Sequence, residues 1–223
     1  MDYGTTDGVL KPLNEALLPD PRFKFFAIGT DDFMRPFELA DLHERINLSK
    51  LDAVVPETVR RQFETAKNLM LYSWFVFEFH TMAELHAYAS LEFALRTRFP
   101  DAKQKRRRKG REVMVPLTLG PLLQIAVKKG VIVAETLPAW ERAKFVSECF
   151  QKRYNFQGGA QRTSAEWLQH VIEYIPNFRN TLAHGNPQLY LEASFRQLET
   201  CADLINQIFS PPANENENRP LSP

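Results

Sequence analysis

The sequence is poor in cysteine, and its two cysteines are not arranged as a pair. Cys149 and Cys201 lie far apart and show no spacing typical of a zinc site. A disulfide framework or a structural zinc site is therefore not expected, and a reducing, cytoplasmic setting is favoured. Gly158-Gly159 stands alone, without a preceding strand or a following lysine, so no phosphate-binding loop is predicted. The chain is expected to work without a metal or a cofactor.

Long hydrophobic runs are also missing. No stretch of eighteen uncharged apolar residues occurs, so no membrane-spanning helix and no membrane partner are expected. The opening residues are acidic and lack the apolar segment of a secretory signal. Hydrophobic residues make up 44% and charged residues 25% of the 223, which is ordinary for a soluble globular protein.

Positive charge is concentrated in one segment although the formal net charge is only +1. Residues 103–111, KQKRRRKGR, hold seven basic residues among nine. Two interpretations stay open: a solvated loop between helices, or a site that binds phosphate backbones without base specificity, since no aromatic residue is interleaved. The candidate RNA-binding residues are Lys103, Lys105, Arg106, Arg107, Arg108, Lys109 and Arg111.

The longest regular segment lacks both glycine and proline. From Glu57 to Phe99, apolar side chains recur at helical spacing in a stripe that includes Tyr88, Leu91 and Leu95. One unbroken helix of this length would span about 65 Å. We therefore expect it either to project from the domain or to break near KNLMLY, residues 67–72.

Further helices are predicted towards the C-terminus. One follows VPLT and ends near Lys128-Lys129-Gly130, and a second begins near Pro138. A capping box at Thr163 and Glu166 opens a third, whose register continues through Pro176 and predicts one kinked helix. In the last helix, Asn186 is the predicted cap and Pro187 the predicted start, and the residues expected to face inward are Leu191, Phe195, Leu198, Ala202 and Ile205.

These elements predict an all-α fold, a helical bundle with long antiparallel helices. Strand signals are too sparse to predict a sheet. Residues 1–55 are expected to form an irregular arm with a short strand and a short helix near residues 37–45. Residues 56–209 form the predicted helical domain, and the polar, proline-rich residues 210–223 form a predicted disordered tail.

The stretch FRNTLAHGNP, residues 178–187, places Arg179 and His184 five positions apart near a predicted helix end. In a continuous helix these two side chains would point about 140° apart. A helix that stops at residues 183–185 removes that constraint, and we expect the break to let the two side chains converge.

The chemistry of this pair suits attack by a ribose 2′-hydroxyl on the adjacent phosphate. An imidazole can accept the hydroxyl proton, and a guanidinium can stabilise the charged pentacovalent phosphorus. The free N–H groups at the start of the final helix would add a further element that favours anions. His184 is the candidate base, Arg179 the phosphate-stabilising group, and Asn180 an orienting hydrogen-bonding residue.

The motif RNTLAHG resembles the signature of the HEPN superfamily, in which an arginine and a polar residue precede a histidine. The segment ASLEFALRTRF also resembles the second-helix region of that group. The resemblance covers roughly residues 57–209 and implies a helical bundle, often a homodimer with the motif near the subunit interface. It also implies a metal-independent ribonuclease of a toxin–antitoxin, phage-defence or RNA-processing system, with RNA and an antitoxin or other partner protein as partners. Other members of the superfamily are inactive and bind nucleotides or proteins.

Other interpretations stay open beside this one. Arg179, Asn180 and His184 can instead cap a helix end, in a binding module or in a scaffold that pairs with another chain. Glu78 and Glu84 are expected to support Arg179 if the helices pack together. His80, Glu84 and His86 show no convincing metal-ligand spacing, so no metal site is predicted there.

Overall fold

The chain folds mainly into α-helices, and the structure, a computed structural model, describes residues 10–30, 33–108, 110–154, 162–184 and 190–211. Two short antiparallel hairpins accompany the helices in these residues. The predicted helical class is therefore confirmed, whereas the expectation that no sheet forms is wrong. The helices are α1 (Leu39–Asn47), α2 (Glu57–Tyr72), α3 (Phe79–Arg98), α4 (Leu119–Lys128), α5 (Pro138–Tyr154), α6 (Ser164–Ala183) and α7 (Leu191–Phe209), and the strands are β1 (Ala27–Thr30), β2 (Phe33–Pro36), β3 (Lys103–Arg108) and β4 (Arg111–Pro116).

The glycine-free segment breaks into α2 and α3, as the second of the two interpretations predicted. α2 ends at Tyr72, directly after KNLMLY, and α3 begins at Phe79. Asp20 of the N-terminal arm spans the break: its amide donates to the Trp74 carbonyl at 2.8 Å, and its carboxylate accepts from the Phe77 amide at 3.3 Å. The arm therefore satisfies backbone groups that a continuous helix would have paired internally.

The N-terminal arm is more regular than predicted. It contains two 3₁₀ turns, Leu13–Glu15 and Pro21–Phe25, followed by the β1–β2 hairpin and α1. Phe23 is buried, with its ring centroid 4.6 Å from that of Trp74. The short helix expected near residues 37–45 is α1, and the aromatic contact of Phe23 with Trp74 joins the arm to the α2–α3 break.

α3 is the central helix and packs against α2, α4, α6 and α7. Tyr88 and Leu91 are fully buried on it, together with three alanines that allow close helix approach. Two carboxylates, Glu84 and Glu92, are buried on the same helix. Because a buried charge is costly unless it is paired or neutralised, these two residues constrain what can surround α3.

α6 and α7 follow the predicted pattern closely. The Thr163 hydroxyl accepts from the Glu166 amide at 3.2 Å, and the Glu166 carboxylate accepts from the Thr163 amide at 2.8 Å, which confirms the capping box. α6 continues through Pro176 as one helix. The predicted inward residues of α7 are all buried: Leu191, Phe195, Leu198, Ala202 and Ile205.

Some predicted features lie outside the described residues. These include the proposed cap Asn186, the proposed start Pro187, and nearly all of the predicted C-terminal tail. None of the described helices combines the length and the hydropathy that a bilayer-spanning segment requires.

Candidate functional site

Arg179 lies in the second-last turn of α6, and its side chain is 38% exposed. One terminal nitrogen of the guanidinium lies 3.9 Å from the Glu92 carboxylate of α3, and the other donates to the Asn180 side-chain oxygen at 3.4 Å. Its Nε atom is buried and has no hydrogen-bond partner within the described ranges. The arginine is therefore half anchored against α3 and half open to solvent.

Glu92 is the carboxylate that faces Arg179, and it is buried. It also pairs with Arg96 one turn later on α3. The two arginines reach this carboxylate from different helices. Glu92 is therefore a buried carboxylate with two cationic partners at the α3–α6 contact.

Glu78 and Glu84 do not support Arg179, contrary to prediction. Glu78 precedes α3 and pairs with Arg22 of the N-terminal arm at 2.6 Å. Glu84 is fully buried; burial raises its pKa, Ser194 of α7 partly opposes that rise, and no arginine contributes. α3 and α6 do pack together, but the carboxylate in register with Arg179 lies two turns beyond Glu84.

The sequence contained a signal that could have identified Glu92 as a residue that needs a charged partner. It sits within the buried stripe of α3, one turn after Tyr88 and next to Leu91. A carboxylate on the apolar face of a helix needs a cationic partner or a proton. The motif arginine of α6 was an available partner.

His184 is the C-terminal capping residue of α6, and it is exposed. The prediction that the helix ends here is confirmed. However, the His184 amide still donates to the Asn180 carbonyl at 3.1 Å, so helical geometry continues up to this residue. The expected angle of about 140° between the Arg179 and His184 side chains therefore remains.

The C-terminal end of α6 does not bring the side chains of Arg179 and His184 together through any contact that the described part of the chain records. The Asn180 side chain contacts Arg179, but within the described ranges His184 is joined to Asn180 only through the helix backbone. Residues 185–189, which would carry the turn, lie outside the described ranges. α7 begins at Leu191, and its N-cap Tyr190 makes no side-chain capping bond.

The basic segment forms a β-hairpin instead of the predicted loop. β3 pairs with β4 in the register Lys105↔Met114 and Arg107↔Glu112, and Gly110 adopts a φ of 78° in the tight turn. Alternation along β3 places Lys103, Lys105 and Arg107 on one face. Lys105 also pairs with Glu112 at 3.3 Å, although both side chains are at least 70% exposed.

The hairpin keeps its cationic side chains in solvent. Lys103, Lys105, Arg106, Arg107 and Arg111 are all exposed. Lys109 and the side chain of Arg108 lie outside what the structure describes. At its base, the Leu117 amide donates to the Ala102 carbonyl at 3.1 Å, and the Arg96 Nε donates to the Leu117 carbonyl at 3.3 Å. Arg96 thus connects the hairpin to Glu92, the partner of Arg179.

A second group of buried polar side chains lies between α3 and α7. The oxygens of Glu84, Tyr88 and Ser194 are buried, and none of them meets hydrogen-bonding geometry with another described group. Burial raises the pKa of Glu84 to about 7, while the nearby Ser194 hydroxyl partly opposes that rise. Burial also raises the pKa of the Tyr88 hydroxyl and of the Cys201 thiol.

The histidines of α3 do not form a metal site. His80 is buried, and its Nδ1 contacts the Phe77 carbonyl. Within the described ranges, no group of three or more histidine, cysteine, aspartate or glutamate residues is arranged to hold a metal ion.

Comparisons with known proteins add no relative. Neither a protein-family model, nor a curated protein, nor a solved structure matches this chain significantly.

Glu84 generates a testable prediction about stability and pH. Its pKa in the folded state is about 7, above the ordinary value of 4.5. The folded state therefore binds the proton more tightly than the unfolded state, and its stability falls as pH rises from about 4.5 to about 7. The shift corresponds to about 3 kcal/mol. We expect Glu84→Gln to raise the free energy of unfolding by about this amount at pH 8 and to change it little at pH 4.

Urea unfolding followed by circular dichroism across this pH range measures the effect. Glu44→Gln, at an exposed position of α1, is the matched control and should leave the pH dependence unchanged. An equal effect of Glu84→Gln at both pH values would contradict the assignment.

Proposed function

We propose that this protein is a metal-independent endoribonuclease of the HEPN type that cleaves single-stranded RNA or RNA loops. The observation that carries the proposal is the position of the motif. Arg179, Asn180 and His184 occupy the C-terminal end of one helix, where the arginine is partly exposed and the histidine is exposed. On this proposal, residues 56–209 form a HEPN-like bundle with long antiparallel helices.

In the proposed reaction, His184 takes up one proton, and phosphorus exchanges its bond to one oxygen for a bond to another. His184 accepts the proton of a ribose 2′-hydroxyl as that oxygen bonds to the adjacent phosphorus. The bond from phosphorus to the 5′-oxygen of the next nucleotide breaks, and that oxygen takes a proton from solvent. The products are a 2′,3′-cyclic phosphate and a 5′-hydroxyl. Arg179 stabilises the extra negative charge on the phosphoryl oxygens, and Asn180 orients the guanidinium.

The geometry of α6 favours a site shared by two subunits. Within one chain, helical hydrogen bonding up to His184 keeps the two side chains on different sides of the helix. A symmetric homodimer with α6 at its interface would place Arg179 of one subunit opposite His184 of the other. The resemblance to HEPN proteins implies the same interface.

The basic hairpin would supply affinity for the RNA backbone. Its exposed lysines and arginines are mostly without carboxylate partners in the described residues, apart from Lys105 with Glu112. Cations on an exposed ribbon attract phosphates at long range and release counterions on binding. The assignment extends to Arg108 and Lys109 from sequence alone.

A second function has its own supporting observation. Arg179 is held by Glu92, and its Nε is buried, which are also the properties of a structural arginine. The alternative is therefore a non-catalytic module of the same fold that binds RNA, a nucleotide or a partner protein. A role as a cytoplasmic toxin or phage-defence component, with an antitoxin partner, is a further part of the nuclease proposal.

Replacing the proposed base tests the nuclease activity. We expect His184→Ala to lower the rate of RNA cleavage by about 10²-fold or more, because general-base catalysis contributes about that much. The assay follows labelled single-stranded RNA with a chelator present, and mass spectrometry identifies the cyclic phosphate. His43→Ala, at an exposed position of α1, is the matched control. Equal cleavage by wild type and His184→Ala would sink the mechanism.

Mixing two inactive variants tests the shared site. Arg179→Ala and His184→Ala proteins, unfolded together and refolded, form mixed dimers in which one of the two composite sites is intact. We expect the mixture to recover about a quarter of wild-type activity, since half of the dimers carry one good site. Activity that stays at the level of the separate variants would show that each site is built within one chain.

Neutralising the hairpin tests RNA affinity separately from cleavage. We expect the triple variant Lys105→Ala, Arg106→Ala, Arg107→Ala to bind 2′-O-methyl RNA more weakly. The slope of log affinity against log salt should become shallower by about 2, or about 0.7 for each lost phosphate contact. Fluorescence anisotropy at several salt concentrations measures both quantities.

The control removes the same charge elsewhere. Lys24→Ala, Lys50→Ala, Lys152→Ala changes three exposed lysines on other elements. An identical loss of affinity and slope in both triple variants would show that net charge, and not the hairpin, governs binding.

A further inference from the structure

A cavity of about 700 Å³ opens between α5, α6 and α7, and Arg45 of α1 also lines it. Its volume lies in the range of sites that hold a small molecule or one group of a larger one. A larger cavity of about 990 Å³ beside Lys129 and Asn206 has no aromatic side chain in its lining. The smaller cavity is distinguished by its two chemically different walls.

One wall is aromatic and comes mainly from α6. Trp167, His170 and Tyr174 line it, and Phe145 of α5 adds a largely exposed ring. The rings of His170 and Tyr174 stack with centroids 5.6 Å apart, and Tyr174 stacks in turn on Phe178 at 5.1 Å. A row of stacked aromatic rings beside an open space favours binding of a flat aromatic group.

The opposite wall is polar and comes mainly from α7. Arg196 pairs with Glu192 at 3.3 Å, and Arg45 pairs with Glu199 and Glu192. Each guanidinium carries five donors, so these pairs leave further donors beside carboxylate acceptors. Such a wall offers both donors and acceptors, as the edge of a heterocyclic base does. A simple anion would meet the carboxylates, and a purely apolar guest would leave the wall unpaired.

The cavity lies on the same helix as the motif, but its aromatic wall faces another side of that helix. Tyr174 and His170 precede Arg179 by five and nine residues, or about 8 and 14 Å of helix rise, and their side chains point about 140° and 180° away from it. Ile175, which also lines the cavity, is one turn before Arg179 and lies on nearly the same side. Arg162, exposed and on the cavity lining, offers a cation to a backbone phosphate. An RNA strand held at Arg179 would therefore pass Ile175 and reach the aromatic wall further along the strand.

We infer that this cavity is a base-binding subsite for a nucleotide of single-stranded RNA that lies further along the strand from the scissile phosphate. The base packs against the aromatic wall at His170 and Tyr174, and the polar wall of α7 contacts its edge. The inference rests on the proposed nuclease function and identifies the cavity as the part of the protein that determines the base preference of that nuclease. The hairpin attracts RNA of any sequence, whereas the cavity discriminates among bases.

The test measures binding without cleavage. The probe is a set of labelled 2′-O-methyl tetranucleotides, one for each base, which lack the attacking hydroxyl. We expect His170→Ala and the cavity-filling Ala143→Trp to weaken binding of the preferred tetranucleotide by about 5- to 150-fold, the range for one lost stacking contact. Binding to wild type should also quench Trp167 fluorescence, because Trp167 lines the cavity.

Matched variants separate this inference from the proposed nuclease activity. His43→Ala and Ala53→Trp change exposed positions elsewhere and should bind as wild type does. Binding that depends on positions 143 and 170 supports the subsite even when wild type cleaves no RNA, in which case only the nuclease proposal fails.

Two results would overturn the subsite. One is that wild type cleaves RNA while both cavity variants bind the tetranucleotides with unchanged affinity and unchanged base preference. The other is a loss of self-association in Ala143→Trp with unchanged binding, which would make the cavity a contact between subunits.

Discussion

The structure depends on how α3 accommodates two buried carboxylates. Glu92 is met by two arginines, Arg96 from its own helix and Arg179 from α6. Glu84, two turns earlier, pairs with no arginine of the described residues, and burial raises its pKa to about 7. One helix thus carries one buried carboxylate with cationic partners and one whose charged form is penalised by burial.

The pairing with Glu92 gives Arg179 a structural function as well as a proposed chemical one. A guanidinium is a planar fork whose donors leave in several directions, so contact with one carboxylate does not exhaust it. The 3.9 Å separation from Glu92 is long for a hydrogen bond, and 38% of the side chain is exposed. The carboxylate limits the rotation of the guanidinium and partly offsets its positive charge. A lysine at this position would carry the same charge but would lack the planar, forked donors that reach two partners on different sides.

Much of the fold was predictable because its signals are local. The Thr163–Glu166 capping box, the break after KNLMLY and the inward face of α7 each follow from residues within a few positions of one another. The partner of Arg179 was not predictable in the same way, because only the packing of α3 on α6 decides which carboxylate lies in register. The hairpin was missed because a run of lysine and arginine has little strand preference. Its evidence was Gly110 in a short turn and the two valines of REVMVP after it, since β-branched residues favour strands.

The two proposals meet on α6, which acts as a fixed spacer. Its start is held by the capping box, its middle by the packing of Pro176 against Gly120, and its end by the contact between Arg179 and Glu92. A base in the cavity and a phosphate at Arg179 would both be positioned by α6, which is rigid. The distance along the RNA between the recognised nucleotide and the bond that breaks would therefore be constant. In the described residues, the hairpin is connected to α6 through Arg96 and Glu92. Its contribution would therefore be to the rate of encounter, whereas the helix would set the position of cleavage.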